Sequence, residues 1–446
     1  MSSRPSADHP SRSASAQPQP DQTGQTPPSQ PPPGEAGQTS PSQLPPGRAR
    51  RTPPSQLSPG KDRRTASSQP PPGEARRTVL SQLSPGKARR SASSQLSPGR
   101  ARRSAAHVTR LTAGRLAVAL AVLLVVAVGS VLLGATDLGW QRVLAEVAAQ
   151  LTGGTSPLSE REAAILWELR VPRVLLGGLV GAALAASGAA FQGVFRNPLA
   201  DPYLLGAAAG AGMAATLVVA LVPSAQDWVV GPLPLAAFAG ALSGVALTWL
   251  LGRSAGRGTA TLLLAGVAVA AFLTAIQTFV QQLHADTLRQ VYTWMLGGLS
   301  TTGWQEVWLV LPYLALASVV LCGCARLLDV LALGDAEAVS VGVRPARVRL
   351  AVLAAASLAT AAAVSVSGLI GFVGIVVPHL VRLLAGASYR VVLPLSLIGG
   401  AAFLIAADVL ARTAFAPAEL PIGVVTAFAG APFFVLVLRT SRRGPE

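Results

Sequence analysis

A succession of long apolar segments, which begins near Leu116 and continues almost to the end of the chain, most constrains what this sequence can fold into. A helix needs about 20 mostly apolar residues to cross a bilayer, and about ten segments meet that requirement. They lie at 116–134, 173–194, 203–222, 233–252, 260–282, 304–325, 349–367, 369–385, 391–411 and 421–438. With 50% hydrophobic and 13% charged residues, the chain is too apolar for a soluble protein of 446 residues. We therefore predict an all-α polytopic membrane protein with about ten transmembrane helices.

Several of these segments are rich in glycine and alanine. The pairs Gly177/Gly181, Gly206/Gly210 and Gly240/Gly244 have the small-xxx-small spacing that lets two helices approach closely. Because such pairs also arise by chance in a chain with 44 glycines, they predict tight helix packing and no particular function.

Residues 1–106 have a different composition, dominated by Ser, Pro, Gln, Gly and Arg. Units such as SQLSPGKARRSAS recur every 13 residues in this tail, which holds 16 Lys and Arg against 5 Asp and Glu, a net of +11. We predict that the tail is disordered, because it cannot bury enough apolar surface to offset its ordering entropy. Its charge favours a solvated tail or contact with anionic membrane lipid. Nucleic-acid binding is not predicted, since no aromatic residues are interleaved to stack bases.

The arginines predict the orientation of the membrane part, which we assign to residues 112–443. If both termini are cytoplasmic, fourteen of the twenty arginines from residue 110 onward lie inside and six lie outside, as the positive-inside rule favours. The six outer residues are Arg142, Arg161, Arg170, Arg173, Arg289 and Arg412. We therefore predict a multi-pass protein of the cytoplasmic membrane.

The membrane part lacks the residues for several kinds of chemistry. Both lysines of the chain, Lys61 and Lys87, lie in the tail outside any G-x-x-x-x-G-K-[ST] motif, so we expect ATP hydrolysis to belong to a separate chain. The four histidines are scattered and the two cysteines lie one residue apart, so no metal site and no catalytic residue are predicted. Carboxylates at membrane depth are scarce, which argues against an ion-coupled transporter. Asp408 is the exception, and Arg412 at the i+4 position is its predicted partner.

A polar segment, FRNPLADPYLLG, interrupts two apolar runs at residues 195–206. Its two prolines, Pro198 and Pro202, should end the preceding helix near Asn197. The side chains of Asn197 and Asp201 can bond backbone groups that the turn leaves free. We predict a rigid corner at the cytoplasmic face, formed by Arg196, Asn197, Pro198, Asp201 and Pro202. The residues alone leave open whether this corner is structural or part of a functional surface.

Three long motifs resemble those of a known family. They are LRVPRVLLGGLVGAALAASGAAFQGVFRNPLADPYLLGAAAGAG (169–212), GFVGIVVPHLVRLL (371–384) and AADVLARTAFAPAELPIGVVTAFAGAPFFVLVL (406–438). In this order they resemble the FecCD-type permeases, the transmembrane subunits of ABC importers for iron-siderophores, haem and cobalamin. The resemblance spans residues 112–443. It implies a ten-helix subunit that pairs with a second permease, either an identical copy or a close paralogue. It also implies two cytoplasmic ATPases and an extracytoplasmic substrate-binding protein.

The resemblance also implies roles for particular residues. The segment LALGDAEAVSVGVRPARVRL (331–350) is similar to the family's coupling segment, which docks into the ATPase. The implied coupling residues are Leu333, Gly334, Asp335, Glu337, Ala338 and Gly342. The arginines that match the family's contacts to the binding protein are Arg170, Arg173 and Arg412. The inner gate is expected at Thr259, Ala260 and Thr261.

Taken together, these features predict the permease subunit of a binding-protein-dependent ABC importer that moves an iron(III)-siderophore by alternating access. Haem or cobalamin import by the same mechanism is the first alternative. An ion-coupled secondary transporter, or a scaffold protein that acts through its tail, is the alternative of a different class. We expect no cofactor on this chain, since ATP and magnesium would be used by the partner ATPase.

Overall fold

The computed structural model describes residues 111–134, 138–222, 231–256, 258–299 and 303–441. Within these ranges the chain forms helices and connecting loops, without β-strands. The helices are α1 (Ala113–Leu132), α2 (Trp140–Thr152), α3 (Glu160–Ala164), α4 (Val171–Phe195), α5 (Ala207–Leu221), α6 (Pro232–Ala255), α7 (Thr259–Leu283), α8 (Leu288–Met295), α9 (Gln305–Gly323), α10 (Ala325–Leu333), α11 (Asp335–Ser340), α12 (Pro345–Ser367), α13 (Val373–Ala385), α14 (Tyr389–Thr413) and α15 (Ile422–Ser441). The predicted tail, residues 1–106, lies outside the described residues.

Each of the ten predicted spans coincides with a helix. In the described part of the chain, seven helical stretches are long and apolar enough to cross a membrane, with α3 and α4 counted as one. Three shorter apolar helices, α5, α13 and α15, match the remaining spans. The expected all-α polytopic fold of about ten membrane helices is confirmed.

Two predicted spans begin later than the sequence suggested. The span predicted from residue 369 becomes helical only at Val373, because Gly368 and Phe372 have left-handed backbone angles, with φ of 65° and 68°. The span predicted from residue 203 starts at Ala207, since Pro202–Leu205 forms a 3₁₀ turn that ends at Gly206 with φ of 79°. In both cases a residue with positive φ stops the α-helix, which requires negative φ.

Helix α2 was not predicted, because its 13 residues are too few and too polar for a membrane span. It is amphipathic instead. Val143 and Glu146 are buried against the protein, whereas Trp140, Leu144 and Leu151 are exposed. A search for apolar segments of about 20 residues cannot detect such a helix.

Helix α4 lies at the centre of the described fold, with most of its residues buried. It packs on α14 and α13 through glycines that face each other across the helix crossings. A Cβ atom on Gly181 would overlap the carbonyl oxygen of Gly400, and one on Gly188 would overlap that of Gly374. Without Cβ atoms, these backbones come into direct contact.

Helices α5 and α6 also pack through facing glycines. A Cβ atom on Gly210 would overlap the Gly240 carbonyl, and one on Gly244 would overlap the Gly206 carbonyl. The tight packing predicted from the small-xxx-small pairs is confirmed here.

Candidate functional site

The polar corner between α4 and α5 has the structure that its sequence predicts. Helix α4 ends at Arg196, whose φ of 49° is left-handed. The Asn197 side-chain oxygen accepts a hydrogen bond from the Leu199 amide at 3.0 Å. The Asp201 carboxylate accepts one from the Tyr203 amide at 2.8 Å. Both polar side chains therefore bond backbone donors that the turn leaves without helical partners.

Tyr203 ties this corner to the break between α12 and α13. Its hydroxyl donates to the Ile370 carbonyl at 3.0 Å and accepts from the Ile370 amide at 3.2 Å. The Pro202 ring lies so close to Gly374 that a Cβ there would come within 2.7 Å of the proline Cδ. The corner is therefore packed against the start of α13.

Asp335, at the start of α11, joins the corner to the predicted coupling segment. It accepts hydrogen bonds from both terminal nitrogens of Arg349, at 2.6 and 2.9 Å, and pairs with Arg196 at 2.5 Å. Arg196 also donates from Nε to the Leu331 carbonyl at 2.9 Å. Hydrogen bonds from Arg349 first, and then from Arg196, hold the pKa of the Asp335 carboxyl below its usual range. We call Arg196, Asp335 and Arg349 the coupling triad.

The triad brings together three elements that are distant in sequence: the end of α4, the start of α11 and the first turns of α12. Sequence reasoning named Arg196 and Asp335 separately and did not single out Arg349. The available signal was its position in the segment VRPARVRL, directly after the predicted coupling residues.

Glycines shape the backbone of the coupling segment. Gly334 has φ of 151°, and a Cβ there would overlap the carboxylate of Glu337. Gly342, with φ of 82°, ends the short helix α11 with its amide bonded to the Val339 carbonyl at 2.9 Å. Both glycines have backbone angles that residues with a side chain rarely adopt.

The surface of this segment is partly apolar. Ala338 is fully buried, whereas Leu333, Val339 and Val341 expose most of their side chains. Exposed apolar residues beside ordered charges are typical of a protein-contact surface. Sequence reasoning named Leu333 and missed the two valines.

The residues predicted to form the inner gate lie at the start of α7. Thr259 lines a cavity of about 390 Å³, together with Trp249, Arg253 and Arg349. The guanidinium of Arg253 lies over the Trp249 ring, 4.6 Å from its centre. Thr259 thus shares a cavity with Arg349 of the coupling triad, while the gate role of Thr259, Ala260 and Thr261 stays a prediction.

A second cluster of charges surrounds Asp408 on α14, whose exposed fraction is 1%. Arg412 pairs with Asp408 at 2.9 Å, which confirms the i+4 partner expected from the sequence. Arg173 on α4 bonds the same carboxylate at 2.9 and 3.1 Å and also binds Glu419 through two hydrogen bonds, at 2.9 and 3.1 Å. One buried carboxylate thus holds two arginines from different helices.

The three arginines predicted to dock the binding protein differ in their exposure. Arg170 and Arg412 are 7% and 8% exposed, and both bind carbonyl groups at the end of α1. Arg170 donates to Val131 at 3.0 Å and Arg412 to Leu133 at 3.0 Å. The C-terminal carbonyls of a helix favour nearby cations, so these two arginines stabilise the C-terminal end of α1. Their docking role, and that of the more exposed Arg173, stays a prediction.

A cavity of about 860 Å³ opens beside the Asp408 cluster. Charged side chains line it, and these are Arg173, Asp286, Arg289, Glu306 and Glu419. We call it the charged cavity. It lies at the end of the molecule that the arginine distribution predicts to be extracytoplasmic.

Comparison with known proteins identifies the family. A model of the FecCD transport family matches residues 121–440, which is well over half of the chain. The chain belongs to the FecCD transport family. It is an ABC transporter permease and a multi-pass membrane protein, as the three sequence motifs predicted.

Curated relatives of this FecCD permease carry different names. It is 44% identical over 284 residues to the uncharacterized ABC transporter permease protein YvrB of Bacillus subtilis, covering 63% of this chain and 80% of that one. It is 43% identical over 303 residues to the cobalamin import system permease protein BtuC of Halobacterium salinarum, and the match covers 68% of this chain and 80% of that one. The hemin transport system permease protein HmuU of Yersinia pestis is 40% identical over 289 residues, and the match covers 61% of this chain and 83% of that one.

A solved structure has the same fold. It is described as an inward-facing conformation of a metal-chelate type ABC transporter, and it matches with a TM-score of 0.62 and 28% sequence identity. The match covers 72% of this chain and 97% of the solved chain.

Proposed function

We propose that this FecCD permease is the membrane-spanning subunit of a binding-protein-dependent ABC importer for a metal chelate. It works by alternating access, in which the pathway opens in turn to the two sides of the membrane. Two permease subunits and two cytoplasmic ATPases form the transporter, and an extracytoplasmic binding protein delivers the cargo. Both termini of the permease are cytoplasmic. ATP and magnesium are bound by the ATPases, so this chain performs no bond-breaking chemistry.

The coupling triad carries this proposal. An ATPase that pushes on α11 moves Asp335, and Asp335 is bonded to the end of α4 and the start of α12. Charge-assisted hydrogen bonds with two contacts, such as those from Arg349, resist rotation as well as separation. Motion at the cytoplasmic surface is therefore transmitted to two helices that are largely buried in the centre of the fold.

The charged cavity supports the extracytoplasmic half of the proposal. It lies on the predicted outer side, and its rim includes the exposed residues Asp286 and Arg289. Exposed charges of both signs can orient a binding protein by electrostatic complementarity. Arg173 lines the same cavity and is partly exposed, so it is the best placed of the three predicted docking arginines.

The cargo is the least constrained part of the proposal. The motifs led us to expect an iron(III)-siderophore, whereas the relatives that carry a cargo name are permeases for cobalamin and hemin. These names favour cobalamin or haem as a second candidate, with the same mechanism. All three cargoes are large metal chelates, so the choice among them does not alter the roles proposed for the residues above.

Uptake into membrane vesicles tests the proposal. Vesicles containing the permease and its cognate ATPase are supplied with a radiolabelled iron(III)-siderophore, haem or cobalamin, with and without the binding protein. We expect ATP-dependent accumulation of one cargo, and only when the binding protein is present. A variant ATPase that binds but does not hydrolyse ATP is the control. Accumulation without the ATPase would contradict the proposal and favour an ion-coupled transporter.

A further inference from the structure

Helix α2 carries a row of apolar side chains that the described part of the chain leaves uncovered. Trp140, Leu144, Val147 and Leu151 are all exposed. They follow one another at intervals of four, three and four residues. In a helix of about 3.6 residues per turn, this spacing places the four side chains on one side. We call these four residues the apolar stripe.

The other two sides of α2 have different surroundings. Val143 and Glu146 are buried and face the rest of the protein. Gln141, Arg142 and Thr152 are polar and exposed, and they lie on the remaining side. The helix therefore has one side for protein, one apolar side and one polar side. A helix that lies against a protein at the boundary between lipid and water requires these three sides.

The position of α2 along the membrane normal follows first from α1. Helix α1 has 20 residues, enough to cross the hydrocarbon core, and only 6% of its most apolar stretch is buried. Its exposed apolar side chains therefore face lipid. Leu138 and Val143 belong to one apolar cluster with Val131 and Leu132, which lie in the last turn of α1. Helix α2 thus lies beside the end of a membrane-spanning helix.

A second span gives the same position. The Trp167 indole donates to the Glu146 carboxylate at 3.1 Å, and the Trp167 carbonyl accepts from the Trp304 indole at 3.0 Å. Trp304 directly precedes α9, which is also long and apolar enough to cross a membrane. Through Trp167, α2 is therefore connected to the point where α9 begins. Both spans place α2 at the boundary of the bilayer, on the side predicted to be extracytoplasmic.

Exposed tryptophans lie at this level. Trp140 begins α2, and Trp308 lies in the first turn of α9, and both side chains are exposed. Tryptophan is enriched at membrane–water boundaries, because its ring is apolar and its N–H group is polar. The two indoles therefore lie where an aromatic belt at the level of the lipid headgroups is expected.

We propose that α2 lies in the plane of the outer membrane boundary, with the apolar stripe inserted among the lipid acyl chains. The stripe contains no charged residue and lies next to the lipid-facing surface of α1, which favours lipid over a soluble binding protein. Because Glu146 is bonded to Trp167, lipid contact at α2 also holds the segment that leads into α4. The proposal depends on the membrane location of the chain and not on its cargo.

Fluorescence quenching tests this location in the full-length permease, assembled with its ATPase in lipid nanodiscs. Each reporter is a single cysteine labelled with an NBD fluorophore, in a background with Cys322→Ala and Cys324→Ala. One quencher is a lipid with a nitroxide near the headgroup end of its acyl chain. A second lipid carries the nitroxide near the methyl end of the chain, and iodide is the quencher in water.

Two pairs of reporters compare the apolar stripe with the polar side of the same helix. Leu144→Cys is paired with Gln141→Cys, and Leu151→Cys with its neighbour Thr152→Cys. We expect the shallow nitroxide to quench the two stripe reporters several-fold more than their partners, and iodide to show the opposite preference. The deep nitroxide should quench the stripe reporters less than the shallow one, because the helix lies in the plane of the boundary.

Three other results would each overturn the proposal. Iodide quenching of the stripe reporters as strong as that of their partners would place the stripe in water, whether or not the binding protein then relieves it. Protection of the stripe from all three quenchers would assign it to a contact with protein. Stronger quenching by the deep nitroxide would place α2 inside the hydrocarbon core.

The native tryptophan offers a second measurement that needs no label on the stripe. The difference in emission between the unaltered protein and Trp140→Phe is the emission of Trp140. We expect this emission to be quenched by brominated lipid and little affected by iodide. The reverse result would overturn the proposal. Since neither measurement involves a cargo, a failure of uptake would leave this location of α2 standing.

Discussion

At the scale of single residues, the two carboxylates that each hold a pair of arginines are in contrasting environments. The Asp335 side chain is 49% exposed at the end predicted to be cytoplasmic, whereas Asp408 is 1% exposed inside the fold. Exposed ion pairs contribute only about 0–1 kcal/mol to folding, while loss of one partner of a buried pair costs about 3–5 kcal/mol. We therefore expect the ion pairs of Asp335 to matter for coupling and those of Asp408 for stability.

For Asp335 we expect loss of function without loss of folding. Asp335→Asn keeps the size of the side chain but removes the charge that holds Arg196 and Arg349. The protein should accumulate normally in the membrane, while ATP-dependent uptake falls and ATP hydrolysis by the complex continues. Ser340→Ala, on the same short helix, is the control and should transport normally, because the Ser340 hydroxyl bonds the Glu337 carbonyl of its own helix and not the coupling triad.

Uptake by Asp335→Asn at the level of the unaltered protein would show that the coupling triad transmits no motion. Lowering the pH within the physiological range cannot replace this substitution, because it does not neutralise Asp335. Because the Asp335 pKa is lowered in the folded protein, its charge is present above the ordinary value for aspartate and is lost only as the pH falls through the lowered value.

For Asp408 we expect a loss of stability. Asp408→Asn leaves the buried Arg412 without its paired charge, at a cost of about 3–5 kcal/mol. Glu419→Gln is the matched control, since the Glu419 side chain is 52% exposed and its pair with Arg173 is worth about 0–1 kcal/mol. Thermal unfolding in detergent, followed by tryptophan fluorescence, should show a large decrease in unfolding temperature for Asp408→Asn and a small one for Glu419→Gln. Equal decreases would show that the buried pair contributes no more to stability than the exposed one.

At the scale of elements, a buried carboxylate on α2, that of Glu146, helps to hold this helix to the segment that follows it. Glu146 accepts hydrogen bonds from Ser156, from Gln150 at 3.1 Å and from the Trp167 indole at 3.1 Å. These three donors, Ser156 first, lower the pKa of Glu146 below its ordinary value.

This environment predicts how α2 responds to acid. A lowered pKa means that Glu146 stabilises the folded state above its ordinary pKa, and that this contribution is lost as the pH falls through the lowered pKa. Hydrogen exchange in α2, corrected for the intrinsic effect of pH, should therefore stay constant from neutral pH down to that ordinary value and accelerate only below it. Ser156→Ala removes the main donor and moves the folded-state pKa of Glu146 back toward its ordinary value, so the acid-induced acceleration of exchange should be smaller.

Thr152→Ala is the control for this experiment, because the Thr152 hydroxyl bonds the Ala148 carbonyl and not Glu146. It should leave the size of the acid-induced acceleration unchanged. An acceleration of the same size in the Ser156→Ala protein would mean that the Ser156 hydroxyl does not set the acid response of α2.

At the scale of the whole molecule, the sequence divides into a membrane part that matches the FecCD family over residues 121–440 and a repetitive tail. The tail, residues 1–106, contains none of the residues of the coupling triad. We therefore expect a protein that lacks these residues to insert into the membrane and to retain ATP-dependent uptake, measured in the same vesicles. Loss of uptake at normal expression would favour the alternative in which the tail carries the function.

Much of the architecture could be predicted from the sequence, because each membrane helix must satisfy its own backbone hydrogen bonds and present an apolar surface. Both requirements are local, so ten spans could be located to within a few residues. The corner at Asn197 and Asp201 was predictable for the same reason, since their hydrogen bonds reach only two residues along the chain. The i+4 pair of Asp408 and Arg412 is equally local.

Contacts between distant segments could not be predicted in this way. Arg196 and Asp335 are 139 residues apart, and nothing in either local sequence indicates that they meet. Likewise, nothing in their local sequence indicates that Arg170 and Arg412 bind the end of α1, which the packing of helices brings beside them.

The sequence by itself therefore determined the class of fold, the family and the local turns, because periodicity, proline and short-range hydrogen bonds act within a few residues. The tertiary structure decided which charges pair and which arginines are buried, because these contacts join segments that are far apart in the sequence. The helix packing includes glycine contacts between α4 and α13 and between α4 and α14, where the absence of a Cβ lets two distant backbones touch.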